Sequence, residues 1–296
     1  MKSPRKIGLI HLIPVSISLV FSYFSAILFK SSNLLEEDIA PFLREESIGA
    51  VLYNVFLFIG LVCIGTAIML FLSLRRKLNI LRLFFILSIS IALFSFYQLY
   101  ILSITVLLPR SLAETLGSDV FIFPVSLVLT TATSYLVFFS RNEFLVMLLT
   151  VFYASGIGAL FGTILPFWSI VAIGLTMSAY DLFSVFKGPL KKFIESISER
   201  DSELPFKYPK QTLLRGVTVP FKGINIGVGD IVFYSMFNAS VFQLRNYTPI
   251  VTLALFATIT AGVFVTLRLL EKYRALPALP LPIILSIILL LLWNSL

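Results

Sequence analysis

Ile226-Gly227-Val228-Gly229-Asp230-Ile231-Val232-Phe233 sets an aspartate, preceded by two glycines, inside an apolar stretch. An ionisable side chain at membrane depth costs roughly 3 kcal/mol even on the lenient insertion scale, so it reads as a functional residue in need of a partner. The partner is Asp181, which follows Tyr180 in the preceding apolar stretch, Phe167 to Phe186. Asp181 stands six residues before Lys187, and Asp230 eight residues after Lys222, the points where the two stretches meet water. At about 1.5 Å of rise per helical residue, the carboxyls lie roughly 9 and 12 Å in from the same face. Two antiparallel helices bring them together.

The whole chain fits a membrane setting. Its 296 residues are 58% hydrophobic and only 13% charged, with a mean hydropathy of +0.99, which leaves no polar coat for a soluble globule. The expected class is an all-α polytopic protein of the cell membrane. A single cysteine, Cys63, excludes an intramolecular disulfide, and a single histidine, His11, leaves no His/Cys cluster, so neither metal nor cofactor is expected. The net charge of +8 is spread over short loops rather than gathered on one face. It argues for orientation in the bilayer and against a nucleic-acid partner.

Nine spans are predicted. Residues 1–165 hold five of them: Ile7 to Phe29, Ile48 to Leu74, Ile80 to Leu108, Val120 to Phe139 and Phe144 to Leu165. The first is too long for a signal-peptide core and lacks a clear cleavage site, so it is read as retained. Residues 166–186 form the sixth span, opened by Pro166. Residues 187–222 are a polar linker, in which Leu190, Phe193, Ile194 and Ile197 have the spacing of a short amphipathic helix and Val217-Thr218-Val219 that of an extended strand. Residues 223–296 carry the last three spans: Gly223 to Leu244, Ile250 to Leu267, and one opening at Pro277. With the N-terminus cytoplasmic and the C-terminus extracellular, all of the 23 Lys and Arg but Lys30, Arg44, Arg110 and Arg245 fall inside. That bias is what the positive-inside rule requires.

Two carboxyls sharing one site do not readily both ionise, so one keeps its proton while the other acts as a base. The base takes a proton from a water that attacks a peptide carbonyl, and the acid protonates the carbonyl oxygen and helps the amine leave. Gly227 and Gly229 let a helix or a substrate backbone come close and weaken the local helix. Pro277-Ala278-Leu279, with Pro280 and Pro282 behind it, enters from the inside at the depth of the aspartates. Proline-rich, non-helical backbone is tolerated there only when it is buried or lines a cavity, so it is read as part of the site wall.

Tyr180-Asp181, Gly227-Val228-Gly229-Asp230 and Pro277-Ala278-Leu279, each in its own late span, resemble the three signatures of the presenilin and signal peptide peptidase family of intramembrane aspartyl proteases. The likeness covers the whole chain and resembles a compact microbial or archaeal presenilin homologue, since signal peptide peptidases have the reverse orientation. It implies that Asp181 and Asp230 are the catalytic dyad, that Tyr180, Gly227 and Gly229 support it, and that Pro277, Ala278 and Leu279 bind substrate. Single-span membrane proteins entering from lipid are the implied substrates, and homo-oligomerisation is left open. Val228 departs from the leucine usual in eukaryotic members, and the linker is shorter than the presenilin loop that undergoes self-cleavage.

Other classes remain to be separated. Prepilin peptidases also use a Gly-x-Gly-Asp with a second aspartate, but resemble a smaller set of spans and lack the Pro-Ala-Leu element. A cation channel or proton-coupled transporter would use the buried aspartates to bind or relay ions. An inverted repeat would favour that reading, and none is evident. His11, Asn54 and Gln98 are read as packing or helix-bridging polar residues rather than catalytic ones.

Overall fold

A computed structural model describes residues 7–32, 41–75, 77–186, 188, 215–244, 246–271 and 276–295. The chain opens with a 3-10 turn, Leu9–Leu12, and continues as α1 (Ile13–Ser32), α2 (Ile48–Leu74), α3 (Leu78–Val106), a short α4 (Arg110–Leu116), α5 (Asp119–Phe139), α6 (Glu143–Ile164) and α7 (Phe167–Phe186). Strands β1 (Thr218–Phe221) and β2 (Ile224–Gly227) then lead into α8 (Val228–Ala239) with a 3-10 extension, Ser240–Gln243. Helices α9 (Pro249–Leu270) and α10 (Pro280–Ser295) follow. Seven of these helices are long and apolar enough to cross a membrane.

Local sequence explains where the helices begin. Ser47 caps α2, its hydroxyl accepting from the Ala50 N–H at 3.2 Å. The Asn142 side chain caps α6 by accepting from the N–H groups of Phe144 and Leu145. Such caps answer donors that have no partner within the helix. Extended backbone at Leu165, followed by Pro166, separates α6 from α7 as the sequence predicts.

The seventh predicted span needs correction. It is not helical from Gly223: residues 218–227 form an antiparallel hairpin in the register Thr218↔Gly227 to Phe221↔Ile224, and the helix begins only at Val228. Lys222 (φ 44°) and Gly223 (φ 80°) form its two-residue turn, and positive φ at both turn positions matches the right-handed twist of the strands. The strand expected around Val217-Thr218-Val219 is present as β1. The fold is therefore all-helical apart from this one hairpin among the described residues. Two smaller differences also appear: α4 occupies the predicted connection between the third and fourth spans, and α10 is helical from Pro280, with Pro277 to Leu279 non-helical ahead of it. The amphipathic segment predicted around residues 190–197 lies outside the described residues.

Helix α6 is the centre of the bundle. It packs on α8 more extensively than any other two elements pack, with α1 its next neighbour. The approach is close because Gly158 and Gly162 face α8. A Cβ at Gly158 would stand against the Val232 carbonyl and 2.6 Å from Ser235 Cβ, and one at Gly162 against the Met236 carbonyl and 2.7 Å from Ala239 Cβ. The small-xxx-small pair, whose spacing favours close helix packing, is the seat of the helix that carries Asp230. By contrast, α2 shows Leu52, Phe56, Leu61 and Ile64 on an exposed face, the surface lipid would cover.

Buried amides tie the outer helices to this centre. The Asn54 Nδ2 donates to the Leu43 carbonyl (2.7 Å) and Ser169 Oγ (3.0 Å), and its Oδ1 accepts from the Leu43 N–H, so α2 is fixed to α7. The Asn238 Nδ2 donates to the Leu19 carbonyl and Ser22 Oγ, fixing α8 to α1. Gly162→Val should overpack the α6–α8 seat and destabilise the fold by about 1–3 kcal/mol, measured by chemical unfolding in detergent, with Gly60→Ala, whose Cβ meets nothing within 4 Å, as the neutral control.

Candidate active site

Asp230 sits where strand becomes helix. Gly227 is the N-cap of α8 and Asp230 its third residue, so the carboxylate reaches back and accepts a hydrogen bond from the Gly227 N–H. This is half of a capping box, with glycine where serine or threonine normally stands. A side chain at Gly227 would lie 2.9 Å from Asp230 Oδ2, whereas a Cβ at Gly229 would meet nothing within 4 Å. The first glycine thus makes room for the carboxylate, and the second leaves open space beside it. The N–H of Val228 donates to the Val217 carbonyl at 2.9 Å and locks the helix start to the hairpin.

Asp181 is held from the other side of the molecule. It lies in the last turns of α7, and its Oδ2 accepts from the Leu279 N–H at 3.1 Å, with the Ala278 N–H as a second backbone donor. These donors exist because residues 277–279 are not helical and their N–H groups are not consumed within a helix. Leu279 is buried and Pro277 half-buried, and of the three residues Ala278 lines the cavity beside Asp230. The Asp181 and Asp230 carboxyls lie within electrostatic range of each other. A cavity of about 170 Å³ opens between β2, α8, α9 and this segment, lined by Asn225, Ile226, Asp230, Tyr234, Thr266 and Ala278 among others.

Two further residues complete the placement. The Tyr180 hydroxyl donates to Thr66 Oγ1 on α2 at 3.2 Å, so this side chain braces α7 against α2. Tyr234, not singled out from sequence, is fully buried and donates to the Ala278 carbonyl at 2.9 Å. It lies one turn after Asp230 on the same helix face, and its hydroxyl is within electrostatic range of both aspartates. A tyrosine four residues beyond an intramembrane aspartate was the available signal. The hairpin itself is held at its N-terminal end: Arg215 Nη1 donates to the carbonyls of Ser140 (2.7 Å) and Phe138 (3.3 Å), and the buried Tyr153 hydroxyl donates to the Gly216 carbonyl.

Two aspartates brought together within a bundle of apolar helices, one beside a strand-to-helix junction and one cradled by non-helical backbone, define a membrane-embedded aspartate site. The same architecture occurs in a solved presenilin family intramembrane aspartate protease, in two crystal forms. In the C222 form the TM-score is 0.61 at 18% identity, covering 96% of this chain and 98% of that one. In the P2 form it is 0.60 at 17% identity, covering 96% and 97%. A family model described as Presenilin matches residues 7–208 and 210–296. The chain belongs to the presenilin family.

Similar relatives include Presenilin-B of Dictyostelium discoideum, 32% identical over 136 residues, which is 45% of this chain and 27% of the relative. Presenilin-A of the same organism is 38% identical over 78 residues, 26% of this chain and 12% of the relative. A presenilin-like protein of Arabidopsis thaliana is 38% identical over 80 residues, 26% and 19% respectively. The matched segments span less than a third of each relative's own length.

Tyr234→Phe removes the donor to Ala278 while keeping the ring. It should cost about 1 kcal/mol of stability in unfolding experiments, and a loss much below that would show that Tyr234 does not anchor the Pro-Ala-Leu segment.

Proposed function

We propose that this protein is an aspartic endopeptidase that hydrolyses peptide bonds within or near the transmembrane helices of single-span membrane proteins, with Asp181 and Asp230 as its dyad. The observation that carries the reading is the convergence of the two carboxylates from α7 and α8 beside a cavity lined by Asp230, Tyr234 and Ala278. One carboxylate takes a proton from the attacking water while the other, protonated, donates to the scissile carbonyl oxygen; the proton gained by the first is then passed to the leaving amine. Gly227 serves the dyad by admitting the Asp230 carboxylate, and Gly229 by leaving room for substrate backbone. Tyr180 supports it at one remove, by bracing the helix that carries Asp181.

A peptide bond inside a helix is shielded, so the substrate must be extended before it is cut. The hairpin offers a template, because β2 runs directly into the helix bearing Asp230 and its residues 224–226 line the cavity. A substrate strand pairing with its edge would be led to the carboxylates. Pro277, Ala278 and Leu279 form the facing wall and contact the substrate from there.

The chain is a multi-pass protein of the cell membrane in this reading, with the bilayer and single-span proteins as its partners, no nucleic acid, and room for homo-oligomers. The short helices α8, lengthened by its 3-10 turn, and α10 bring the seven longer spans to nine. The charge bias supports a cytoplasmic N-terminus and an extracellular C-terminus, which puts the dyad toward the cytoplasm.

The test is cleavage of a single-span reporter by purified protein in a bilayer, comparing the wild type with Asp181→Asn and Asp230→Asn made separately. Each change should lower the rate by at least about 100-fold in protein that remains folded. Near-normal cleavage by either variant would overturn the dyad, and ion flux that depends on both residues without any cleavage would move the assignment to a channel or transporter.

A further inference from the structure

The cavity beside Asp230 is too small for a free ligand and large enough for one side chain. Its volume is about 170 Å³, against the roughly 300–1,000 Å³ of small-molecule sites, and an apolar cavity of about 150 Å³ already takes up a benzene ring. One wall is residues 224–226 of β2. Neighbours on a strand point to opposite faces, yet all three border the space, so it runs along the edge of the strand rather than under one face. The other edge of β2 is taken by β1.

The opposite wall is one face of α9. Val263, Thr266, Leu267 and Leu270 stand at i, i+3, i+4 and i+7 on that helix, the spacing of a single stripe. Thr266 donates its hydroxyl to the Gly262 carbonyl of its own helix at 2.9 Å, and Tyr234 donates its own to the Ala278 carbonyl. Both hydroxyls in the lining are thus engaged. What the α9 stripe offers an occupant is hydrocarbon.

We infer that this cavity receives one apolar side chain of the substrate, next to the scissile bond, and that the α9 stripe around Thr266 sets the size it accepts. The inference rests on the proteolytic reading given above. Asp230 lines the same cavity, so a residue seated there has its backbone beside one carboxylate of the dyad. On an extended substrate successive side chains point to opposite sides, so when one faces α9 its two neighbours face away. Selectivity therefore falls on a single position. It favours aliphatic or one-ring side chains such as leucine and phenylalanine and disfavours the larger indole of tryptophan.

The test uses a single-span reporter in a bilayer, its cut mapped by mass spectrometry, with alanine, leucine, phenylalanine or tryptophan placed in turn at the positions flanking the cut. For the wild type, one position should prefer leucine to alanine by about tenfold in kcat/KM and discriminate against tryptophan, while its sequence neighbours show no such ranking. Thr266→Leu, which narrows the cavity, should bring the leucine-to-alanine ratio at that position down to about one. Leu270→Ala, which widens it, should admit tryptophan as readily as phenylalanine. Each ratio is taken within one variant, so a uniform loss of activity does not move it. A ranking left unchanged by both variants, or by Leu270→Ala alone if Thr266→Leu fails to fold, would overturn the inference, and so would the absence of any size-selective position. Cleavage that is absent, or that survives Asp230→Asn, would instead remove the proteolytic reading and the inference with it.

Discussion

Within a bilayer, a polar group that the protein does not satisfy is not satisfied by water either, and the arrangement around the two aspartates follows from that constraint. Asp181 takes backbone N–H groups from Ala278 and Leu279, and the Ala278 carbonyl in turn takes the Tyr234 hydroxyl. Tyr234 shares a helix with Asp230, whose carboxylate is answered by the N–H of Gly227 at the end of β2. Three segments distant in sequence, the end of α7, the β2–α8 junction and residues 278–279, are linked in one open circuit of hydrogen bonds. Each link satisfies a group that would otherwise cost several kcal/mol in hydrocarbon. The non-helical backbone needed for the cradle is tolerated because it is enclosed by α7, α8 and α9.

Such a circuit requires α8 to be fixed in depth and rotation. The glycine pair on α6 does this by letting the two backbones approach to where side chains would forbid it, and Asn238 adds a second anchor to α1. The helix so placed is only 12 residues long, about 18 Å at the usual rise. Hence its first turn, with Asp230, lies well below the ends of the neighbouring spans, and the hairpin occupies the space that a full-length helix would have filled.

Much of this was legible from residue chemistry. Long apolar runs bounded by charges marked the spans, and the second and sixth begin and end where hydropathy placed them. The aspartates and the proline-rich opening of the last helix stood out because their cost at membrane depth demands an explanation. The hairpin was half hidden. Its residues are apolar enough to read as the continuation of a span, although Ile224-Asn225-Ile226 alternates with the period of a strand and Lys222-Gly223 is a two-residue turn signal. Composition over a window overrode these local cues. Tyr234 was missed for a different reason: a tyrosine is common in any membrane helix, and only its hydrogen-bond partner reveals its use.

The order of residues in Leu276-Pro277-Ala278-Leu279-Pro280-Leu281-Pro282 has a meaning beyond its proline content. Proline has no N–H to give, so the segment is a stencil that marks which backbone positions can speak to a carboxylate. Between Pro277 and Pro280 the gap in the stencil falls at 278 and 279, the two amides that hold Asp181. Because the donors are main-chain, this contact does not itself depend on which side chains stand at the two positions. Sliding the prolines by one place would keep composition, hydropathy and helix-breaking character intact and would still erase a donor. In this stretch the placement of the prolines, not their number, decides which amides reach the carboxylate.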